Sequence, residues 1–217
     1  MKKTFDITEF GACGDADALI QKAAAFFRQE KYDEALEWYF KALGLREDTL
    51  GNEHIDTAET RNIIALVYCR QGEHEKALEW FTKALPVFEK AHAEESTSCT
   101  YSNIALMHKN LGEYDKALAW YYRDLPLKEK VRSEDPFIAA AAYYNIADVC
   151  RLQGNVAESL PFFIKACRIF FGEFADHRQS KEYREGMRDN MRLAYLATSP
   201  VTPFESWFNE LLEDSTP

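Results

Sequence analysis

No stretch of this chain approaches the roughly 20 apolar residues that cross a bilayer as a helix. The most apolar run, Phe137 to Cys150, is interrupted by Asn145 and Asp148, so no membrane association is expected. Glycine and proline are scarce, 9 and 7 of 217 residues, which excludes collagen-like and low-complexity chains. Cysteine is limited to Cys13, Cys69, Cys99, Cys150 and Cys167. That odd set has no Cys-x-x-Cys pair and excludes a regular disulfide scaffold; it suits a reducing cytosol, and cytoplasmic localisation is the expectation. The lysines at Met1-Lys2-Lys3-Thr4-Phe5-Asp6 have no apolar core behind them, so no secretory signal is expected. Basic charge is also short, with 26 Lys and Arg against 36 Asp and Glu for a net −10. Self-repulsion would oppose a phosphate-tracking surface, so nucleic acid is not an expected partner.

The residue constellations of catalysis are missing as well. His54, His74, His92, His108 and His177 are widely separated, without a His-Glu-x-x-His pair or a repeated metal spacing. There is no glycine-rich phosphate loop and no Gly-x-Ser-x-Gly elbow. The chain is read as a non-enzyme without metal or cofactor.

What is present is a repeat. Gln29 to Leu43, Gln71 to Leu85, Leu111 to Leu125 and Gln153 to Cys167 superimpose, with the ring-bearing tracts Glu37-Trp38-Tyr39, Glu79-Trp80-Phe81, Ala119-Trp120-Tyr121 and Pro161-Phe162-Phe163 in step. The turn positions Glu30, Gly72, Gly112 and Gly154 stand 42, 40 and 42 residues apart. Seven residues before each lies Ala23, Ala65, Ala105 or Ala147, and five after it Ala35, Ala77, Ala117 or Ser159. Each unit reads as helix, tight turn, helix. A turn glycine takes the left-handed conformation that ends a helix, and small residues let the two helices cross closely while rings fill the space around the crossing. A single pair cannot bury its apolar side alone, so the pairs stack into a superhelix with a concave and a convex face. Gly44, Pro86, Pro126 and Arg168 share one place in successive second helices. The prolines predict a kink or restart there.

The pattern resembles the tetratricopeptide repeat over roughly residues 16–172, and its 42-residue period is similar to that of kinesin light chains. Leu50-Gly51-x-x-His54-x-x-Thr57-Ala58-x-x-x-Asn62-x-x-Ala65-Leu66-x-Tyr68-x-x-Gln71-Gly72 carries this likeness best, although the family's His-Pro pair reads His54-Ile55. The resemblance implies an all-α, right-handed solenoid of antiparallel helix pairs, and a scaffold or adaptor that holds a protein or peptide in its concave groove. The expected layout is an irregular lead-in over 1–14, with the first helix capped by Asp15 or Asp17. Repeats follow near 16–49, 50–93, 94–133 and 134–173, then a partial fifth over 178–197 and an amphipathic capping helix within 198–217.

In this family the first helix of each pair lines the groove. Those helices place Asn62, Asn103 and Asn145 nine or ten residues before the turn glycines. Their amides suit the backbone of an extended peptide. Arg70, Lys109 and Arg151 near the helix ends would attract acidic side chains, and Leu66, Leu106 and Tyr144 would supply apolar anchors. Alternatively the asparagines bond to neighbouring repeats, and Arg70 and Lys109 pair with Glu73 and Glu113. Chaperone-binding members of the family hold a carboxylate with Lys, Asn and Arg on three first helices. Here Ile20, Ala24, Ser102 and Leu106 stand at the first of those places, and only Asn145 with Arg188 and Arg192 imitates the rest. Lys181, Arg184, Arg188 and Arg192 form a basic stripe on one helix face, interspersed with Glu182, Glu185 and Asp189.

Near the C-terminus Thr202 is placed to cap and Pro203 to open a helix whose apolar stripe is Phe204, Trp207, Phe208, Leu211 and Leu212. It reads as a cover for 178–197 or as a ligand-like helix that docks in a groove, in cis or in another copy. Acidic residues around Trp207 give it a likeness to the acidic, tryptophan-centred peptides bound by kinesin-type repeats. Two other functions stay open: a self-assembling module built on this helix, and a regulator that senses a peptide, as in bacteria.

Overall fold

The computed structural model describes residues 14–130, 135–171 and 178–213. The expected lead-in therefore lies outside the described residues, apart from Gly14. Ten helices and no strand occur among the described residues. They are α1 (Gly14–Arg28), α2 (Tyr32–Leu50), α3 (Ile55–Gln71), α4 (His74–Lys90), α5 (Glu94–Asn110), α6 (Tyr114–Lys130), α7 (Pro136–Leu152), α8 (Val156–Phe171), α9 (Arg178–Leu196) and α10 (Phe204–Glu213). By its contacts the chain forms two units, residues 1–107 and 108–217.

The repeat positions explain the helix pairs. Gly72, Gly112 and Gly154 have φ of 77°, 74° and 92°. The two N–H groups at each turn donate back into the preceding helix, as Gly72 N to Cys69 O at 3.1 Å and Glu73 N to Tyr68 O at 3.0 Å show. Glu30 makes the same turn with φ 60° and no glycine. All four alanines seven residues before the turns are fully buried, as are Ala35, Ala77, Ala117 and Ser159. The small residues thus sit where helices touch, and large rings such as Phe81 and Phe163 are buried beside them.

In the first unit α1 packs on α2, α2 on α3 and α3 on α4. In the second, α6 packs on α7, α7 on α8, α8 on α9, and α10 lies against α8 and α9. Phe204, Phe208 and Leu211 of α10 are buried in a core with Phe163, Phe170, Met187, Met191 and Tyr195. Burying three such side chains contributes about 1.5–3 kcal/mol each. A detached ten-residue helix is unstable in water, so this docking is what makes α10 a helix.

Polar contacts join neighbouring hairpins at equivalent places. A glutamate late in each of α2, α4 and α6 accepts a hydrogen bond from the next first helix. Arg61 donates to Glu47 at 2.9 Å, Tyr101 to Glu89 at 2.6 Å, and Tyr143 to Glu129. Gln71 donates to Asp33 at 2.8 Å and Gln153 to Asp115 at 2.5 Å.

At the prolines, where a kink or a restart is expected, α4 and α6 do not restart but run on through Pro86 and Pro126. Burial of Leu85, Val87 and Phe88 around Pro86 offsets the missing donor, whose loss in a helix interior costs about 3 kcal/mol. Asp15 and Asp17 lie inside the first turn of α1, where they face the positive end of the helix dipole; Asp17 accepts from Arg46 at 2.8 Å. Finally, Pro203 precedes α10, and its carbonyl accepts from Trp207 N at 3.1 Å. The carbonyl of Thr202 receives the Tyr195 hydroxyl at 3.0 Å.

Candidate binding surface

In the first unit the first helices α3 and α5 bring up Asn62, Leu66, Arg70, Asn103 and Leu106. Leu66 and Leu106 occupy the same repeat position, one residue after the buried alanine, and are 36% and 38% exposed. Arg70 is exposed and makes no hydrogen bond or ion pair among the described residues. Its expected partner Glu73 is held by Lys76 at 3.1 Å instead, an i,i+3 contact that costs less chain order than reaching back across the turn. Asn62 follows the neighbour-bonding alternative, its Oδ1 lying 3.4 Å from the Thr100 hydroxyl. That hydroxyl is closer to Ser96 O, at 2.6 Å, so Asn62 is weakly committed. The Asn103 amide is half-buried and makes no hydrogen bond among the described residues.

In the second unit Asn145 occupies the corresponding place on α7, again half-buried with an unbonded amide among the described residues. Lys109 and Arg151 are committed. Both bind the buried carboxylate of Asp148, at 2.8 Å and 2.7 Å. Burial pushes the Asp148 carboxyl up, but the hydrogen bonds from Lys109 and Arg151 outweigh it and hold the group below the ordinary carboxylate range. Lys109 therefore does not pair with Glu113, which accepts from His108 at 2.6 Å and Lys116 at 2.8 Å. Asp148 is the residue that the sequence reading passed over. Its signal was position: it replaces Leu66 and Leu106 at the same place in the repeat.

Tyr144 is half-buried against Phe163, with ring centroids 5.8 Å apart. Burial, joined by the Asp148 charge, raises its phenol above the usual range, against a hydrogen bond with Asn190. One member of the basic stripe of α9, Arg188, holds α10, and Arg184 lies over α8. Arg184 lies 5.6 Å from the Phe171 ring centre. Arg188 lies 5.4 Å from that of Phe208 and is bound to Glu205. Arg192 is exposed and free of hydrogen bonds among the described residues; the side chains of Lys181, Glu182 and Glu185 lie outside them. Among the described residues no group of His, Cys, Asp and Glu could hold a metal. No helix among them is long and apolar enough to cross a membrane. Burial raises the Cys69 thiol to about 11 and the Cys167 thiol to about 12, so neither is a ready nucleophile.

Well over half of the chain, residues 15–90 and 96–170, matches the family model for the tetratricopeptide repeat. The chain belongs to the tetratricopeptide-repeat family. Solved structures of other proteins share its fold at low identity. BtubC (BKLC) from P. vanneervenii superimposes with a TM-score of 0.66 at 20% identity, over 71% of this chain and 62% of that one. The nearly identical repeats of a putative kinesin light chain from Podosopora anserina give 0.69 at 20% identity, over 93% and 92%. A Rap protein complexed with competence and sporulation factor gives 0.63 at 19% identity, over 96% of this chain and 54% of the Rap protein. This tetratricopeptide-repeat chain thus spans less than two thirds of BtubC and about half of the Rap protein. No curated protein matches it by sequence.

Proposed function

We propose that this tetratricopeptide-repeat protein is a non-catalytic scaffold that holds an extended segment of another protein against its first helices. The observation that carries the reading is the state of Asn103 and Asn145. They occupy equivalent places in two repeats, are half-buried, and leave their amides unbonded among the described residues. An amide with no internal partner loses little when it turns to a peptide backbone and offers both donors and an acceptor. Leu66 and Leu106 provide exposed apolar contacts beside Asn103. A Rap protein of the same fold, complexed with competence and sporulation factor as its name states, gives precedent for ligand binding on this fold.

The partner is expected to be mildly acidic. Lys109 and Arg151 share one carboxylate, whereas Arg70 and Arg192 have no partner among the described residues. The likeness of α10 to an acidic, tryptophan-centred ligand is used internally: Trp207 stacks on Tyr195 at 4.3 Å.

Peptide display on the intact chain tests this reading. Peptides selected by the first unit should bind Asn103→Ala several-fold more weakly, and those selected by the second should do so for Asn145→Ala, the scale of one lost hydrogen bond each. Leu66→Asp/Leu106→Asp should weaken the first set further. Selection of the same peptides with unchanged affinity for all three variants would place binding elsewhere and sink the proposal.

A further inference from the structure

The connection between α9 and α10 combines a residue in left-handed backbone with exposed apolar side chains. It spans residues 197–203, Ala-Thr-Ser-Pro-Val-Thr-Pro. Ser199 is held at φ 54° without being glycine, a left-handed conformation that costs an L-residue free energy. Pro200 and Pro203 follow it and favour extended chain on their N-terminal sides. The segment is thus bent back at a residue that resists the bend, just before two that stiffen the chain.

A second observation lies beside it. Leu193 and Leu196, 56% and 53% exposed, sit on the last turns of α9, and Val201 is fully exposed in the connection. Three large apolar side chains within nine residues present themselves to water around the hinge. The α10 site itself is well made: Phe204, Phe208 and Leu211 are buried, Trp207 stacks on Tyr195, and Glu205 binds Arg188.

We propose that the chain forms a two-fold dimer by exchanging α10, each copy placing Phe204, Phe208 and Leu211 in the α8–α9 site of the other. The exchanged contacts are those already made in cis, so they are neutral in the balance. What changes is the hinge. Opening it releases Ser199 from the left-handed bend and lets the Pro200 and Pro203 segment extend. In a closed exchange the two hinges run past one another near the two-fold axis, bringing the Leu193, Leu196 and Val201 patches of both copies together. Short hinge loops under strain invite such exchange.

The test uses the full chain at micromolar to millimolar concentration, with mass measured by light scattering. A concentration-dependent dimer is expected. Inserting Gly-Ser-Gly after Ser199, or making Ser199→Gly, relieves the bend and should raise the dimer dissociation constant at least roughly tenfold. Leu193→Glu/Leu196→Glu should do the same without unfolding the monomer, because both side chains are exposed. Two charge variants then report the exchange itself. Arg188→Glu and Glu205→Arg each set like charges together within one copy. In an exchanged mixed dimer every α10 meets an opposite charge, so mixing the two should give a one-to-one heterodimer in native mass spectrometry. A chain that stays monomeric throughout overturns the proposal. So does a dimer that ignores the hinge variants and shows no preference for the mixed pair, which would mean association without exchange.

Discussion

The two units build the same repeat from different interiors. In the first, the N-terminal halves of the first helices are polar inside: Thr57, Thr60, Arg61, Thr97 and Thr100 are all buried. In the second, the equivalent places are Ala139, Ala142 and Tyr143, also buried. The threonine hydroxyls close on their own backbone, Thr60 on Asp56 O at 3.0 Å and Thr57 on Gly51 O at 2.9 Å. Arg61 satisfies itself on Asn52 O, Asn52 Oδ1 and Glu47. Alanine needs no partner, so the second unit stacks on rings and on α10. The comparison teaches that the small-residue crossing is obligatory, whereas the rest of the seam accepts any side chain whose polar atoms are satisfied.

Four sets of changes probe that difference. The largest effect is expected for Phe163→Ala in the second unit, which opens a cavity in the ring-filled core and should cost about 3–5 kcal/mol in urea unfolding. Next is the ladder of glutamates. Arg61→Met should cost about 2–3 kcal/mol, because Glu47 and Asn52 lose a charged, multiply bonded partner. Tyr143→Phe should cost only about 1 kcal/mol; equal losses would show that the rungs do not depend on donor charge.

Third is Asp148→Asn, expected to cost about 1–3 kcal/mol by leaving Lys109 and Arg151 without their carboxylate. Because Asp148 titrates lower in the folded chain than in the unfolded one, its stabilisation is full above the unfolded value of roughly 4. It disappears as the pH falls through the folded value. Melting curves from pH 6 to 2 should therefore converge for parent and variant at the acid end; parallel curves would show that the carboxylate is not coupled to folding. The smallest effect is Glu30→Gly, which removes a left-handed glutamate at a place where other repeats use glycine. It should stabilise the chain by about 1 kcal/mol, whereas Gly72→Ala at φ 77° should destabilise it by a similar amount.

The fold was legible because its signals are steric and recur. The turn positions 30, 72, 112 and 154 and the alanines seven residues before them admit few alternatives, and one chain displays the pattern four times. The surface was less legible because partner choice is a contest between nearby charges. Glu73 and Glu113 were the obvious mates of Arg70 and Lys109 by proximity in sequence, yet lysines within the next turn took them. Asp148 went unread because an aspartate at a leucine place looks like an interruption of an apolar run. The glutamate rungs were hidden by chemistry, since an arginine and two tyrosines donate to them.

The aromatic positions leave the molecule wired with its own optical probes. Trp38, Trp80, Trp120 and Trp207 are the four tryptophans of the chain, one in each of the first three hairpins and one in α10. Lys41, Lys83 and Arg123 sit 4.0, 4.4 and 4.9 Å from the ring centres of the first three. A cation over an indole face shifts its emission, and Trp207 stacked on a tyrosine has a different neighbour. Single-tryptophan versions would thus give four distinguishable lamps along one chain, and the order in which they change colour during unfolding would report which hairpin lets go first.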